Sequence, residues 1–394
     1  IEWIIPNRFR DGYGLSANII PRLVGTDLAI TVDNGISAVH AAKLCKDEGI
    51  DLIITDHHLL APEIPEAYAI IDQKQESCSF PYDDVCGAQI AWYLIASLTN
   101  ALGVKIDMMA YMELVSIAII ADMMPLQHIN RAMVLAGIKA LNKSKRPAIR
   151  AFLEQSQKET ITSEDIGFFL APLLNSAGRM DDASFAVDFL TSTNIYDARV
   201  RLERLIEFNT LRKATEQSIT QKAMTQVDHD DEVIIVVGEG WHEGVVGIVA
   251  ARVARACEKP CIVLTQSEEG LLKGSGRSFG ECDLFAIVDS TRMHLEYFGG
   301  HQAAIGLSLK EESLKSFKTE VQKNFNEGAY VKEVFDPEIV GNLHFSMISF
   351  DLTNIVKKFE PYGQGNSTPK FISTNVEILQ ADSMGKEGEH LRFS

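Results

Sequence analysis

Two short stretches hold the side chains best suited to chemistry, Asp33-Asn34-Gly35 and Asp56-His57-His58. Carboxylates and imidazoles are the donor set that divalent cations accept. A third carboxylate, Asp122, closes the apolar run Ser116–Met124. A charge in such surroundings must be paired, protonated or metal-bound. Each has a plainer alternative. Asp33 suits a turn or a helix cap, and Asp56 could cap a helix followed by two surface histidines. Asp122 could be exposed beside Pro125, although a helix C-terminus disfavours negative charge. Three glycine-flanked segments add cations or imidazole: Asn175-Ser176-Ala177-Gly178-Arg179, Gly274-Ser275-Gly276-Arg277-Ser278 and Gly299-Gly300-His301. We read them as turns whose backbone lets a phosphate approach, with arginine to fork onto it. Singly each is a common pattern. Together with the metal candidates they point to phosphate chemistry. Trp241-His242-Glu243-Gly244 reads as structural, packing Trp241 at a domain boundary.

The elements that must position these groups follow from periodicity. Leu28–Val32 and Leu52–Thr55 are apolar and β-branched, so both read as buried strands. The segment Ser37–Glu48 reads as a helix, with Ser37 a candidate N-cap and Gly49 a terminator. Strand–helix–strand at this spacing makes the strands parallel. Asp33 and the Asp56-His57-His58 trio should then meet at one rim, where open α/β sheets place ligands. Tyr68–Ile71 is a further strand, and helices are expected over Gly87–Leu102, Met109–Met124 and Asn130–Leu141. From Asp197 to about Val227 the chain is charged and lacks Gly and Pro, the pattern of a long, partly exposed helix. At 1.5 Å per residue it spans roughly 45 Å. A second α/β unit follows, with strands Val233–Val237 and Ile262–Leu264 and helices Val245–Cys257, Leu284–Leu295 and Glu311–Asn326. From Phe335 onward the pattern is β-like, with strands expected at Leu343–Phe345, Lys370–Ile372 and Val376–Leu379 around the turn Pro361–Asn366.

With 394 residues, 46% of them hydrophobic, the chain can fill two or three cores. No segment reads as a signal peptide or a membrane span. Its six cysteines form no CxxC pair and read as reduced and structural, which favours the cytoplasm. The net charge of -17 argues against a nonspecific nucleic-acid coat. It leaves room for an enzyme that grips a strand locally through metals and a few arginines. The chain opens at Ile1 inside an expected strand, Trp3–Ile5, and ends just after another, His390–Phe393. We read it as a fragment open at both ends.

Thr55-Asp56-His57-His58 resembles the motif that names the DHH phosphoesterases, and Thr31–Ser37 and Ala118–Asp122 are similar to two further blocks of that superfamily. Asn175–Arg179, Trp241–Ala251, Gly274–Ser278 and Phe298–Gly306 resemble blocks of its RecJ family, single-strand-specific 5′-3′ DNA exonucleases, and Glu360–Asn366 resembles the entry to that family's OB-type barrel. The resemblance implies an α/β fold. A parallel-sheet DHH domain, N-terminally truncated, would cover 1–194, and a connecting helix 195–228. An α/β DHHA1 domain would cover 229–332 and the start of an OB-like β-barrel 333–394. It implies two Mn²⁺ or Mg²⁺ ions in the complete protein, bridged by Asp33, with His57 and Asp122 completing one of them. His58 would orient ligands or contact the scissile phosphate. Asn175, Arg179, Ser275 and Arg277 would bind the substrate, holding phosphates near the 5′ end, with Arg8 and His301 near the reacting phosphate. The other ion's Asp-x-Asp ligands are expected upstream of Ile1, so this stretch alone should be nearly inactive. Implied partners are single-stranded DNA, a single-strand-binding protein and a RecQ-type helicase, with no membrane and a monomeric state, in cytoplasmic recombination and repair. Two alternatives stand beside this: a DHH oligonucleotide or cyclic-dinucleotide phosphodiesterase, and a non-catalytic DNA-binding relative. The long helix and barrel-like tail argue against the first, and the retained ligands against the second.

Overall fold

The computed structural model describes residues 1–267, 270–328, 339–385 and 390–393. The first unit is a three-stranded parallel sheet of β1 (Leu28–Val32), β2 (Asp51–Thr55) and β3 (Ala69–Ile71), with β2 in the middle and α1 (Val39–Asp47) as the β1–β2 crossover. Its core is Ile20, Ala41, Ala42, Cys45, Ile50, Leu52 and Ile54. The register pairs Val32 with Thr55, so the residues just after both strands share one rim, as the spacing predicted. The β1–β2 helix has Ala38, not Ser37, at its N-cap.

A helical layer follows: α2 (Gly87–Ala101), α3 (Met112–Ala121), α4 (His128–Leu141), α5 (Pro147–Ser156), the short α6 (Ser163–Asp165), a π-helical turn Ile166–Leu170, α7 (Ala171–Met180) and α8 (Ser184–Leu190). Then comes α9, the expected long helix, at Ile195–Met224. Asn194 starts α9 by accepting from the Asp197 amide at 3.0 Å. Ala198, Leu202, Leu205 and Phe208 bury its first half against α5, α7 and α8, with Phe189 at the centre. A side chain of that size, fully buried, contributes about 1.5–3 kcal/mol. The second half of α9 carries Ile219 and Ala223 into the next unit, so one rigid rod joins two cores.

That second unit is a five-stranded sheet in the order β4-β5-β6-β8-β7, formed by β4 (Ile234–Gly238), β5 (Cys261–Gln266), β6 (Leu271–Arg277), β7 (Tyr297–His301) and β8 (Ala304–Lys310). Only β4 and β5 run parallel. Helix α10 (Glu243–Cys257) covers one face, and α11 (Leu284–Asp289) and α12 (Leu314–Glu327) cover the other. Beyond it lie β9 (Ile339–Asn342) paired with β10 (Lys370–Ile372), helix α13 (Phe350–Lys357), and the hairpin β11 (Ala381–Met384)–β12 (His390–Phe393). The boundary expected between residues 332 and 333, and the β-like start at Phe335, lie outside the described residues.

Several local expectations are corrected. Asn175–Arg179 is not a turn but part of α7, because Leu173, Ser176 and Ala177 bury one helical face. Gly274–Arg277 and Gly299–His301 are strand residues rather than loops. Gly274 faces the Val263 carbonyl so closely that a methyl there would lie 2.0 Å from it, so that glycine serves sheet packing. Residues 1–7, including Trp3–Ile5, form no strand. The Met109–Met124 helix begins with a 3₁₀ turn, Met108–Tyr111, and ends at Ala121. The Leu284–Leu295 helix stops at Asp289 and gives way to a 3₁₀ turn. Leu343–Phe345 and Val376–Leu379 are not strands, and α13 was not foreseen.

Candidate metal and phosphate site

Asp33 follows β1 directly, with a left-handed backbone (φ 66°). Its amide still donates to the Thr55 carbonyl at 3.0 Å, extending the β1–β2 ladder by one residue. Helix α2 begins against it. A methyl on Gly87 would lie 2.5 Å from both Cβ and Oδ1 of Asp33, so only glycine lets the helix start there. The positive end of α2 thus faces the carboxylate.

Asp56 does something different from its motif partners. It is buried and collects amide donors: Ile36 N at 2.9 Å on Oδ2, and His57 N at 2.8 Å on Oδ1. Oδ1 also lies 2.6 Å from His58 Nδ1. Burial opposes its ionisation, but the bonds from His58, Ile36 and His57 overcome it and set its pKa below the usual carboxylate range. The bond to Asp56 raises the His58 pKa against burial. That bond also fixes the His58 ring and leaves Nε2 as its outward nitrogen.

His57 Nε2 lies 3.0 Å from Asp33 Oδ1 and 3.4 Å from Asp122 Oδ2. The atom is buried and has hydrogen-bond geometry to neither. Burial lowers the His57 pKa, and the two carboxylates more than reverse that. Asp122 caps the C-terminus of α3, with its side chain 41% exposed. Loss of water on its inner side raises its pKa. Both sequence readings of Asp122 therefore describe it: it is open to solvent and it faces His57. Asp33, His57 and His58 each offer a ligand atom within 4.8 Å of the others. An orphaned imidazole nitrogen between two carboxylates is the arrangement a divalent cation satisfies, and these residues fit one.

The arginines form a second set. Arg179, on α7, is close enough to Arg8, Arg212 and Arg277 that burial first, and then their charges, pull its pKa down to about 10. Its Nη1 donates to Gly244 O at 3.3 Å, across the seam to α10. Arg277 donates to Ser275 Oγ at 2.6 Å, and Ser275 to Ile305 O at 2.9 Å. Gly247 of α10 packs so closely that a methyl would lie 2.9 Å from Arg277 Nη2. Register aligns Arg277, Ala304 and His301 across β6, β8 and β7. His301 is exposed and weakly holds the Ala303 amide at 3.4 Å. Arg8 rests over the Tyr13 ring, 5.8 Å from its centroid. A groove of about 810 Å³ is lined by Ala121 and Met123, which flank Asp122, by Asn175, and by Arg179 and Arg212.

Three contributors escaped the sequence reading. Asp56 belongs to the named motif, but only the structure shows it orienting His58. Gly87 had no local signal. Arg212 lies in the charged run of α9 and is fixed by Asn209 Oδ1 at 2.9 Å and Glu216 Oε2 at 3.0 Å.

Residues 1–119 match the N-terminal domain of the DHH family, and residues 230–327 the DHHA1 domain. The fold places the chain in the DHH family. Residues 339–394 match the RecJ OB domain. Over 427 residues the chain is 33% identical to the single-stranded-DNA-specific exonuclease RecJ of Escherichia coli, covering 100% of this chain and 72% of that protein. Identity to the Bacillus subtilis RecJ is 31% over 404 residues, again 100% of this chain. A crystal structure of RecJ in complex with Mn²⁺ from Thermus thermophilus superposes with a TM-score of 0.86 at 26% identity, covering 95% of this chain and 56% of that one. The chain belongs to the RecJ family. It spans about half the length (51%) of the Bacillus subtilis relative.

Proposed function

We propose that this chain carries the core of a metal-dependent exonuclease that hydrolyses single-stranded DNA from the 5′ end. The observation carrying this is the orphaned His57 Nε2 between Asp33 and Asp122, with a groove lined by Arg179 and Arg212 passing the residues on either side of Asp122. Asp33, His57 and Asp122 would hold the cation, Mn²⁺ or Mg²⁺, with Asp33 able to bridge to a second ion in the whole protein. Bound there, the cation supplies Lewis acidity to the scissile phosphate and the attacking water. His58, its ring fixed by Asp56, presents Nε2 to a phosphate oxygen. Arg179, Ser275 and Arg277 hold the phosphate at the 5′ end, flanked by Asn175 and Arg8, with His301 at the rim. Water attacks phosphorus, the P–O3′ bond breaks, and the 5′ nucleotide leaves.

Strand selectivity needs no base reading: a groove too narrow for duplex excludes it. The division at 194, 228 and 332 would give catalysis, a rigid link, end recognition and strand grip to successive units. The same reading puts the protein in the cytoplasm as a monomer, in recombination and repair, beside a single-strand-binding protein and a RecQ-type helicase. No described helix is long and apolar enough to cross a membrane. The test is Mn²⁺-dependent release of mononucleotides from 5′-labelled single strands by the full-length protein, against duplex and dinucleotide controls. Asp33→Ala should abolish release with the fold intact. Undiminished release by that variant would remove Asp33 from the metal site, and cleavage of the dinucleotide alone would move the protein to the small-substrate phosphodiesterases.

A further inference from the structure

Asp122 sits at the head of a loop, and that loop is fastened from outside the catalytic unit. Helix α3 ends in a Schellman-type turn: Met123 is left-handed (φ 56°), its amide donates to Ile120 O at 3.2 Å, and the Met124 amide donates to Ile119 O at 3.0 Å. A non-glycine residue held left-handed is strained and persists where its surroundings over-determine it. Here the surroundings include residues 359–366, the segment that leads into the barrel-like tail. Leu126 N donates to Gln364 O at 2.7 Å and Gln127 Nε2 to Gly365 O at 2.9 Å. Arg131 forks onto Phe359 O and Glu360 O, both at 2.7 Å, and Ser163 Oγ donates to Tyr362 O at 2.7 Å. Every donor belongs to the catalytic unit and every acceptor is a carbonyl of the strap. The strap is itself pre-formed: Gly363 and Asn366 exchange amide bonds at 3.0 and 3.1 Å, and Asn366 Nδ2 ties back to Phe359 O and Pro361 O. Its apolar side seats on buried Leu126, where a methyl on Gly363 would lie 2.7 Å from Cδ1.

We propose that the 359–366 strap, fastened mainly by Arg131, is a positioning device for Asp122, so that seating of the strand-gripping tail tunes cation affinity at the catalytic rim. The inference rests on the metal reading above. Arg131 is neither among the candidate ligands nor in the lining of the groove. It acts through the strap and the Met123–Gln127 loop, and charge-assisted bonds to two carbonyls make it the strongest single fastening. A strand that pulls on the tail would then be felt at Asp122 without touching it.

The test uses the full-length protein without DNA. Mn²⁺ affinity is read from the electron paramagnetic resonance of the free aquo ion, and loop order from hydrogen–deuterium exchange over residues 123–127 of the metal-free protein. Arg131→Ala and Gly363→Val loosen the seam from opposite sides. Each should speed exchange and weaken Mn²⁺ about tenfold, which is about 1.4 kcal/mol. Arg131→Lys, which restores one bond, should fall between. Arg150→Ala, on an exposed pair with Glu154, should match the parent. Faster exchange with unchanged Mn²⁺ affinity in both variants would overturn the coupling. Unchanged exchange in both would show that the strap does not hold the loop. Asp122→Ala separates the two readings: parental Mn²⁺ binding there would overturn the metal assignment and the strap proposal with it. Loss of binding, with parental affinity in the strap variants, would overturn the strap proposal alone.

Discussion

Gly87→Ala places one methyl between a helix start and a candidate metal ligand. The added carbon would lie 2.5 Å from Asp33 Cβ and Oδ1 and 2.7 Å from its Cα, where ordinary contact begins at 3.4 Å. The closest atoms include backbone, so no rotamer relieves the clash, and α2 and the end of β1 must part by about 1 Å. Overpacking of this kind costs about 1–3 kcal/mol. Replacing glycine in a helix returns up to ~1 kcal/mol, less in the first turn. The net loss should be about 1–2 kcal/mol, a shift of a few degrees in Tm for a chain of this size. The effect on function should be far larger. Misplacing a positioned group by 1 Å costs on the order of 10²-fold in rate, and Asp33 is the group displaced. Thermal unfolding and Mn²⁺-dependent hydrolysis of single strands would be measured together. Gly238→Ala, which drives a methyl into the Trp241 ring at 1.9 Å, gives a comparable insult within the second sheet and should lower stability while sparing Mn²⁺ affinity. If Gly87→Ala keeps parental Mn²⁺ affinity and rate, the tight contact between α2 and Asp33 does not set the site, and the reasoning fails.

Asp56→Asn keeps the shape but removes the charge that three backbone amides and the His58 ring share. Because His58 is more than half exposed, losing these charge-assisted bonds should cost about 1–3 kcal/mol, and urea midpoints should show it along with a lowered His58 pKa by NMR; a neutral stability change would contradict the orienting role. Arg277→Ala should weaken use of 5′-phosphorylated ends relative to hydroxyl ends with little loss of stability, and equal losses on both ends would count against phosphate recognition. Iodoacetamide at pH 8 should label exposed Cys78 first, because burial pushes Cys86 up to about 12 and Cys282 up to about 11; early mass gain at Cys86 would mean that the start of α2 opens readily.

The rim was legible because two β-branched runs at helix-crossover spacing allow one arrangement, and the Val32–Thr55 pairing delivers it. Helix α9 was legible because thirty residues without Gly or Pro leave little else. The failures share a cause. Gly274 and Gly276 read as turn residues, since glycine's commonest local meaning is a turn, yet here they admit neighbouring side chains and backbone in mid-sheet. Asn175–Arg179 read as a turn because Gly178 hid a helical face that only burial against α9 reveals. Gly87 and Arg212 carry no local pattern at all. Their meaning lies in what arrives from 54 residues away in one case and from α7 in the other, and tertiary approach leaves no trace in a window of sequence.

The acidic balance of the chain and its proposed polyanionic substrate are reconciled by where the arginines lie. A net charge of -17 repels DNA at a distance and gives no general steering. Against it, four unrelated elements bring one arginine each into a single cluster around Arg179: Arg8 from the N-terminal segment, Arg179 from α7, Arg212 from α9 and Arg277 from β6. Like charges in a partly dry cleft repel one another, and the depressed Arg179 pKa is that repulsion added to burial. Such strain persists because the elements are over-determined elsewhere, by the α9 core and by the fixed β5–β6–β8 register. A phosphate entering the groove relieves repulsion as well as forming bonds, while a duplex held off by the acidic exterior finds nothing comparable. In the proposed reading, binding would concentrate at the arginine cluster, and local pre-organisation of charge would do what a basic surface does less selectively.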